Sequence, residues 1–202
     1  MSSSIDLRDF VAFRNLLGRF CTGVTVVTTL GPEGTAGFTC QSFAALSLEP
    51  PMVLISVMRT SRTLPLLIEH GEFGVSVLGE DAGAVSSTVA SRAPDKFSRV
   101  PLDFSERGLP LVHGALAWFD CSVNRVVEAG DHVLVLGDVI EAGPAENESR
   151  PLLFYRSAYE SLSKKPTQRV HSPQKEESIR PVRERAMAAA CATAGFSLDD
   201  WF

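Results

Sequence analysis

The chain has 202 residues, 45% of them apolar, and a formal charge of −5. One domain of that length buries ~70% of its unfolded surface, and the apolar content argues against a disordered chain. The mild acidity carries no nucleic-acid footprint. No run approaches the ~20 apolar residues that cross a bilayer, and the opening MSSSIDLRDF lacks a signal peptide's apolar stretch. A cytoplasmic protein with no membrane or nucleic-acid partner is expected.

Asp6 to Phe20 carries Leu7, Phe10, Val11, Phe13, Leu16, Leu17 and Phe20 at helical spacing. An amphipathic helix packed on the body of the protein is expected there. Val24–Thr29 is rich in β-branched residues and reads as a strand. Gly31, Gly34 and Gly37 around Pro32 allow a tight return into a second strand, Gly37–Ser42. Further strands are expected at Met52–Val57 and Phe73–Leu78, with a short helix over Ser61–His70 between them. Asp81–Ser91 reads as helical and ends at Ala93-Pro94-Asp95, and Gly108-Leu109-Pro110 opens another strand region.

Ala115–Val127 and His132–Ala142 read as antiparallel neighbours joined at Gly130-Asp131. Val133, Val135 and Val139 alternate with Leu134, Leu136 and Ile140, so both faces of the last strand are apolar. A strand covered on both sides, as in a barrel wall that also meets a second subunit, has this pattern. From Ser163 to Arg180 the composition turns to Lys, Gln, Glu, Ser and Pro, which suggests a linker. Pro181 can open a helix over Val182–Ala194 that stops at Gly195, before an apolar tail ending in Trp201-Phe202. The expected division is 1–162 for the main domain and 163–202 for linker, helix and tail, with the tail docked on its own or a partner subunit.

Cys21, Cys40, Cys121 and Cys191 are far apart and form no CxxC pair, so neither a disulfide framework nor a metal site is expected. Cys21 and Cys121 read as small buried hydrophobes. No GxGxxG follows a strand and opens a helix, which disfavours a Rossmann dinucleotide domain.

Four segments in register, Phe13–Thr29, Gly37–Val57, Gly130–Val139 and Pro151–Tyr159, resemble the short-chain flavin reductase family, the reductase components of two-component flavin-dependent monooxygenases. The resemblance covers roughly the first four-fifths of the chain. It implies a mainly β fold with peripheral helices, a Greek-key split β-barrel that forms a homodimer. It also implies an NAD(P)H:flavin oxidoreductase that reduces FAD or FMN with NADH or NADPH. Reduced flavin would then pass to a separate monooxygenase. Such an enzyme needs a surface that holds two rings together and has little acid–base work to do.

By the same resemblance, Thr39, Cys40, Gln41, Ser42 and the Ser47-Leu48 step would line the flavin ring and ribityl chain. Cys40-Gln41 stands where many relatives have Ala-Ser. Ser61, Arg62 and Thr63 would grip the flavin phosphate, as two guanidiniums and three hydroxyls in Arg59–Thr63 suit charge-assisted bonds; Ser61 would equally cap the following helix. Ser87, Ala90, Lys96 and Phe97 would meet the phosphate or adenine side. Val89 stands where Phe is frequent. His132 is the catalytic-site candidate, orienting the nicotinamide carboxamide or ribose without having to move a proton. Asp131 is read as fixing the turn, and Arg14 and Tyr155 as further nicotinamide-side candidates. A flavin carrier without turnover, and an oxidase acting on its own small organic substrate, are the competing readings.

Overall fold

A computed structural model describes residues 4–144 and 149–163. The elements in chain order are α1 (Phe10–Leu17), β1 (Thr22–Gly23), β2 (Thr25–Gly31), β3 (Gly34–Cys40), β4 (Ala44–Leu48), β5 (Pro51–Met58), α2 (Thr63–His70), β6 (Glu72–Val77), α3 (Gly83–Ala90), β7 (Leu102–Phe104), β8 (Pro110–Val112), β9 (Ala117–Ala129), β10 (His132–Pro144), β11 (Leu153–Tyr155) and β12 (Ala158–Glu160). These residues lie in one compact unit ending at Ser163. The linker, helix and tail expected beyond it lie outside the described residues.

Seven strands form one antiparallel sheet in the order β3-β2-β6-β9-β10-β5-β4. Its inner face wraps a single core in which Val27, Ile55, Val57, Phe73, Val75, Cys121 and Val135 are buried. A second core under α3 collects Val24, Val26, Leu78, Val89, Val112 and Leu152. β2 lies between the two, so both of its faces are covered, and its threonines must bond inside the protein. Thr25 Oγ1 donates to the Cys40 carbonyl at 2.9 Å and Thr29 Oγ1 to the Glu72 carbonyl at 2.8 Å. The Thr28 hydroxyl donates to the Pro110 carbonyl. The mixed valines and threonines of this strand thus serve two apolar cores with hydroxyls that find carbonyls on neighbouring segments.

The long hairpin β9–β10 turns at Gly130-Asp131, with Ala129 paired to His132. Gly130 has φ +66°, as the first position of a II′ hairpin requires. β10 then pairs with β5 so that His132 stands opposite Met58 and Gly137 opposite Val53.

Three expectations are corrected. Helix α1 is shorter than Asp6–Phe20, being capped at Asp9, whose carboxylate accepts the Val11 and Ala12 N–H groups at 3.0 Å each. It buries no residue, and Phe10 and Phe20 are each 77% exposed. Its apolar face therefore does not pack on this chain's sheet. Among the described residues β10 is fully covered on one face only: Val133, Val135 and Gly137 are buried, Leu134 and Leu136 half-buried, and Ile140 exposed. Cys21, at the end of the segment leaving α1, is exposed, whereas Cys121 is buried as expected. Burial and the Asp120 charge push the Cys121 thiol up to about 12. No helix among the described residues is long and apolar enough to cross a membrane.

Candidate active site

β3 is one edge strand of the sheet and β5 is the last but one at the other, yet the two come into contact with no ladder between them. Ser42, just past β3, spans the gap: its hydroxyl donates to the Ser56 carbonyl at 2.8 Å and accepts the Ser56 N–H at 3.0 Å. A serine side chain stands there for a missing strand neighbour. Along this seam opens a cleft of about 900 Å³, at the upper end of the range for small-molecule sites, ~300–1,000 Å³. Its walls are Gly37–Ser42, Ser56–Met58, Thr60–Thr63, Ala90, Arg92, Lys96 and His132.

The polar rim is positioned by the sheet. Thr39 Oγ1 donates to the Ser86 carbonyl at 2.8 Å and ties the end of β3 to α3. Cys40 is buried, with its Sγ 3.1 Å from Ser42 Oγ, and burial raises its pKa. It is a neutral thiol that packs in the core while facing the cleft. Gln41 is exposed at the rim, and neither its side-chain amide nor its N–H has a partner among the described residues.

One end of the cleft is cationic. Arg62 Nη2 donates to the Arg92 carbonyl at 3.1 Å, bringing together the turn into α2 and the segment after α3. Lys96 Nζ donates to the Gly37 carbonyl at 2.8 Å and the Val89 carbonyl at 2.7 Å. Burial, and secondly the charge of Arg62, hold its pKa below the usual lysine value. Among the described residues no carboxylate lies within ion-pair distance of Arg62, Arg92 or Lys96. Crowded like charges destabilise one another unless an anion joins them, so this end fits a phosphate. Ser61 Oγ accepts the Thr63 N–H at 3.3 Å, and Thr63 Oγ1 donates to the Gly37 carbonyl at 3.4 Å. Both hydroxyls thus hold the turn together beside the cations.

Lys96 is also a clamp. Its two short bonds fasten the end of α3 to β3, and Phe97 beside it packs against Gly37. Bonds to a charged group contribute ~1.5–3 kcal/mol each, and the half-exposed setting trims that. Lys96→Met is expected to cost about 2 kcal/mol, or roughly 4–8 °C in the melting temperature of a chain this long. Thermal unfolding monitored by circular dichroism measures it.

Of the residues singled out from the sequence, the cleft gathers Thr39, Cys40, Gln41, Ser42, Ser61, Arg62, Thr63, Ala90, Lys96 and His132. It does not gather Ser47, Leu48, Ser87, Phe97, Arg14 or Tyr155. β4 runs antiparallel to β5, which pairs Ser47 with Met52 and Leu48 with Pro51, at the far end of β5 from Val57 and Met58. Five residues of strand separate the two ends by ~17 Å. Ser87 instead donates to the Tyr159 hydroxyl at 3.3 Å, and Phe97 is inserted behind β3. Arg14 lies on α1, and Tyr155 on β11 in the small sheet β1-β11-β12, with the Arg156 guanidinium 5.3 Å from its ring centre. Arg92, Ser56 and Gly37 went unnoticed in the sequence. A second guanidinium four residues before Lys96 was a usable signal for Arg92, whereas Ser56 and Gly37 act through backbone groups that no side chain announces.

The family model described as the flavin reductase like domain matches residues 17–163. The reductase subunit HsaB of a flavin-dependent monooxygenase from Mycobacterium tuberculosis is 44% identical over 173 residues, 85% of this chain and 90% of that one. The crystal structure of nitrilotriacetate monooxygenase component B from Mycobacterium thermoresistibile superposes with a TM-score of 0.77 at 40% identity, covering 83% of this chain and 96% of that one. The NADH:FAD oxidoreductase SgcE6 of Streptomyces globisporus, in complex with NAD and FAD fragments, gives a TM-score of 0.76 at 34% identity over 81% of this chain and 98% of that one. This chain belongs to the flavin reductase-like family.

Proposed function

We propose that the chain is an NAD(P)H:flavin oxidoreductase that reduces FAD or FMN and releases it to a separate monooxygenase. The observation that carries this reading is the cationic end of the cleft, where Arg62, Arg92 and Lys96 have no carboxylate partner among the described residues and so favour a phosphorylated ligand. Relatives described as a reductase subunit of a flavin-dependent monooxygenase and as an NADH:FAD oxidoreductase support the reaction class and the partner. A bound flavin would supply the redox chemistry by accepting a hydride from a nicotinamide nucleotide at N5. The chain's own residues bind and orient. The guanidiniums of Arg62 and Arg92 would hold phosphate. Gln41 and the end of β3 offer free donors to a planar heterocycle. His132, across the cleft on the first residue of β10, would align the nicotinamide nucleotide. No proton transfer is required of any of them.

The finer architecture is proposed on the same footing. The outer face of β5 and β10, with Leu134, Leu136 and Ile140, and the bare apolar face of α1 suit a second copy of the chain. A homodimer would then complete a Greek-key split barrel. A cytoplasmic location fits a protein whose product is consumed by another soluble enzyme.

Steady-state NADH oxidation with FAD, FMN and riboflavin tests the reading. Stimulation is expected, and riboflavin, lacking phosphate, should show the highest KM. The double variant Arg62→Ala, Arg92→Ala should raise the KM for FMN about 10–100-fold, given ~1.5–3 kcal/mol for a bond to a charged group, and leave that for riboflavin nearly unchanged. His132→Ala should raise the KM for NADH more than that for flavin. No stimulation by any of the three flavins, in folded protein, removes the proposal. Tight flavin binding without NADH oxidation would point to a carrier instead.

A further inference from the structure

We propose that Asp131 is a positioning residue that fixes the tautomer and the aim of His132. The inference deepens the function proposed above and rests on it for the identity of the ligand. From the sequence, Asp131 reads as a turn former. Its carboxylate is bonded chiefly to the imidazole: Oδ1 lies 2.7 Å from His132 Nδ1, its own backbone N–H is a lesser partner, and no other side-chain contact to it is made among the described residues.

The turn itself is held by backbone alone. Gly130 supplies the positive φ, and the Asp131 carbonyl accepts the Arg59 N–H at 3.0 Å. That second bond ties the hairpin to the chain leaving β5, so Asp131 has a fixed backbone from which to reach its neighbour. His132 stands on the first paired residue of β10, opposite Met58 and Ala129, with its ring on the cleft wall. The carboxylate thus occupies one nitrogen of a ring that also forms part of the cleft wall.

The chemistry follows from what a carboxylate can do. Ionised, it only accepts, so Nδ1 must carry the hydrogen. The same bond holds the Asp131 carboxyl below its ordinary pKa, the His132 N–H being the main cause and the ring's charge the second. The neutral imidazole then has Nε2 as its unprotonated nitrogen, the one left for a ligand in the cleft. That atom accepts a hydrogen bond, and its fit is to a donor such as a carboxamide N–H or a ribose hydroxyl. Without Asp131 the neutral ring is free to carry its hydrogen on Nε2 and would then meet the same group donor to donor. This is the arrangement by which carboxylates orient ring nitrogens behind metal ligands and catalytic histidines. Here it would serve recognition alone. Because the pair is exposed, its effect is modest, and a two- to five-fold change is the expected scale.

The test uses the full chain and Asp131→Ala, with two readouts. In ¹⁵N-histidine spectra taken where the ring is neutral, His132 should show a protonated Nδ1 and an unprotonated Nε2, and the variant should lose that preference. The KM for NADH should rise two- to five-fold in the variant, with a smaller change in the KM for flavin. Asp131→Glu, which keeps a carboxylate, should recover part of the change. An unprotonated Nδ1 in the parent overturns the proposal, as does an unchanged KM for NADH or an equal rise for both substrates. Should the protein oxidise no NADH at all, the functional reading fails, while the spectra still decide whether Asp131 sets the tautomer.

Discussion

Arg107→Ala is expected to lower the stability of the fold by about 3–5 kcal/mol, because it strands a buried charge. Asp120, on β9, is wholly buried and is held by Arg107 Nη1 at 2.8 Å and by the Ser105 hydroxyl at 2.6 Å. The other guanidinium nitrogen reaches Glu72 on β6 and donates to Ser122 Oγ at 3.2 Å. One arginine on the loop after β7 therefore pins that loop across β6 and β9. Its loss leaves the Asp120 carboxylate with a single hydroxyl in an apolar interior. A fall of roughly 10 °C in melting temperature corresponds to the middle of this range. Replacing both partners by apolar residues, as in Arg107→Met with Asp120→Leu, should recover much of the loss. Differential scanning calorimetry of the three proteins measures the loss and its recovery. Since none of these residues lines the cleft, the KM for flavin below the transition should move little. A large change in that KM would show that the network supports the site as well as the fold.

Gly37→Ala is expected to damage both at once. A β-carbon there would lie 2.4 Å from the Val27 carbonyl oxygen and 2.7 Å from Phe97 Cζ. The first neighbour is backbone of the paired strand and cannot step aside cheaply. Overpacking of this kind costs ~1–3 kcal/mol or more. The Gly37 carbonyl also receives the Lys96 ammonium and the Thr63 hydroxyl. Pushing β3 away from β2 therefore shifts the cationic end and the polar rim together. Flavin titration should show an affinity loss of about ten-fold or more, the scale set by ~1.4 kcal/mol of misplacement, along with a lower melting temperature. Unaltered affinity with lower stability would separate the cleft from the clamp and refute the linkage.

Much of the architecture was legible because its signals are local. Val24–Thr29, Met52–Val57 and Phe73–Leu78 are β-branched or apolar runs between Gly and Pro, and they form β2, β5 and β6 within one or two residues of those bounds. The hairpin at Gly130-Asp131 was readable from its turn chemistry alone. Family resemblance added the residues of the rim and of the cationic end, since Gly37–Ser42 and Arg59–Thr63 are short continuous segments whose order survives folding. β8 falls where Gly108-Leu109-Pro110 opens a strand region, whereas β4, β7 and the small sheet β1-β11-β12 were not read, because strands of two to five residues carry too few alternations to separate from loop.

What the sequence by itself determined was the longer strands, the apolar runs along them, and the gathering of two guanidiniums and three hydroxyls in Arg59–Thr63. The tertiary structure alone decided which of the named residues meet. The antiparallel register of β4 on β5 carries Ser47 and Leu48 to the end of the strand away from the cleft, and an ammonium spent on backbone carbonyls turns Lys96 into a clamp. It also decided that the apolar face of α1 and the outer face of β10 stay largely uncovered by the described residues. Pattern along a chain records which side of an element is apolar; it does not record whether the surface that covers it belongs to the same molecule.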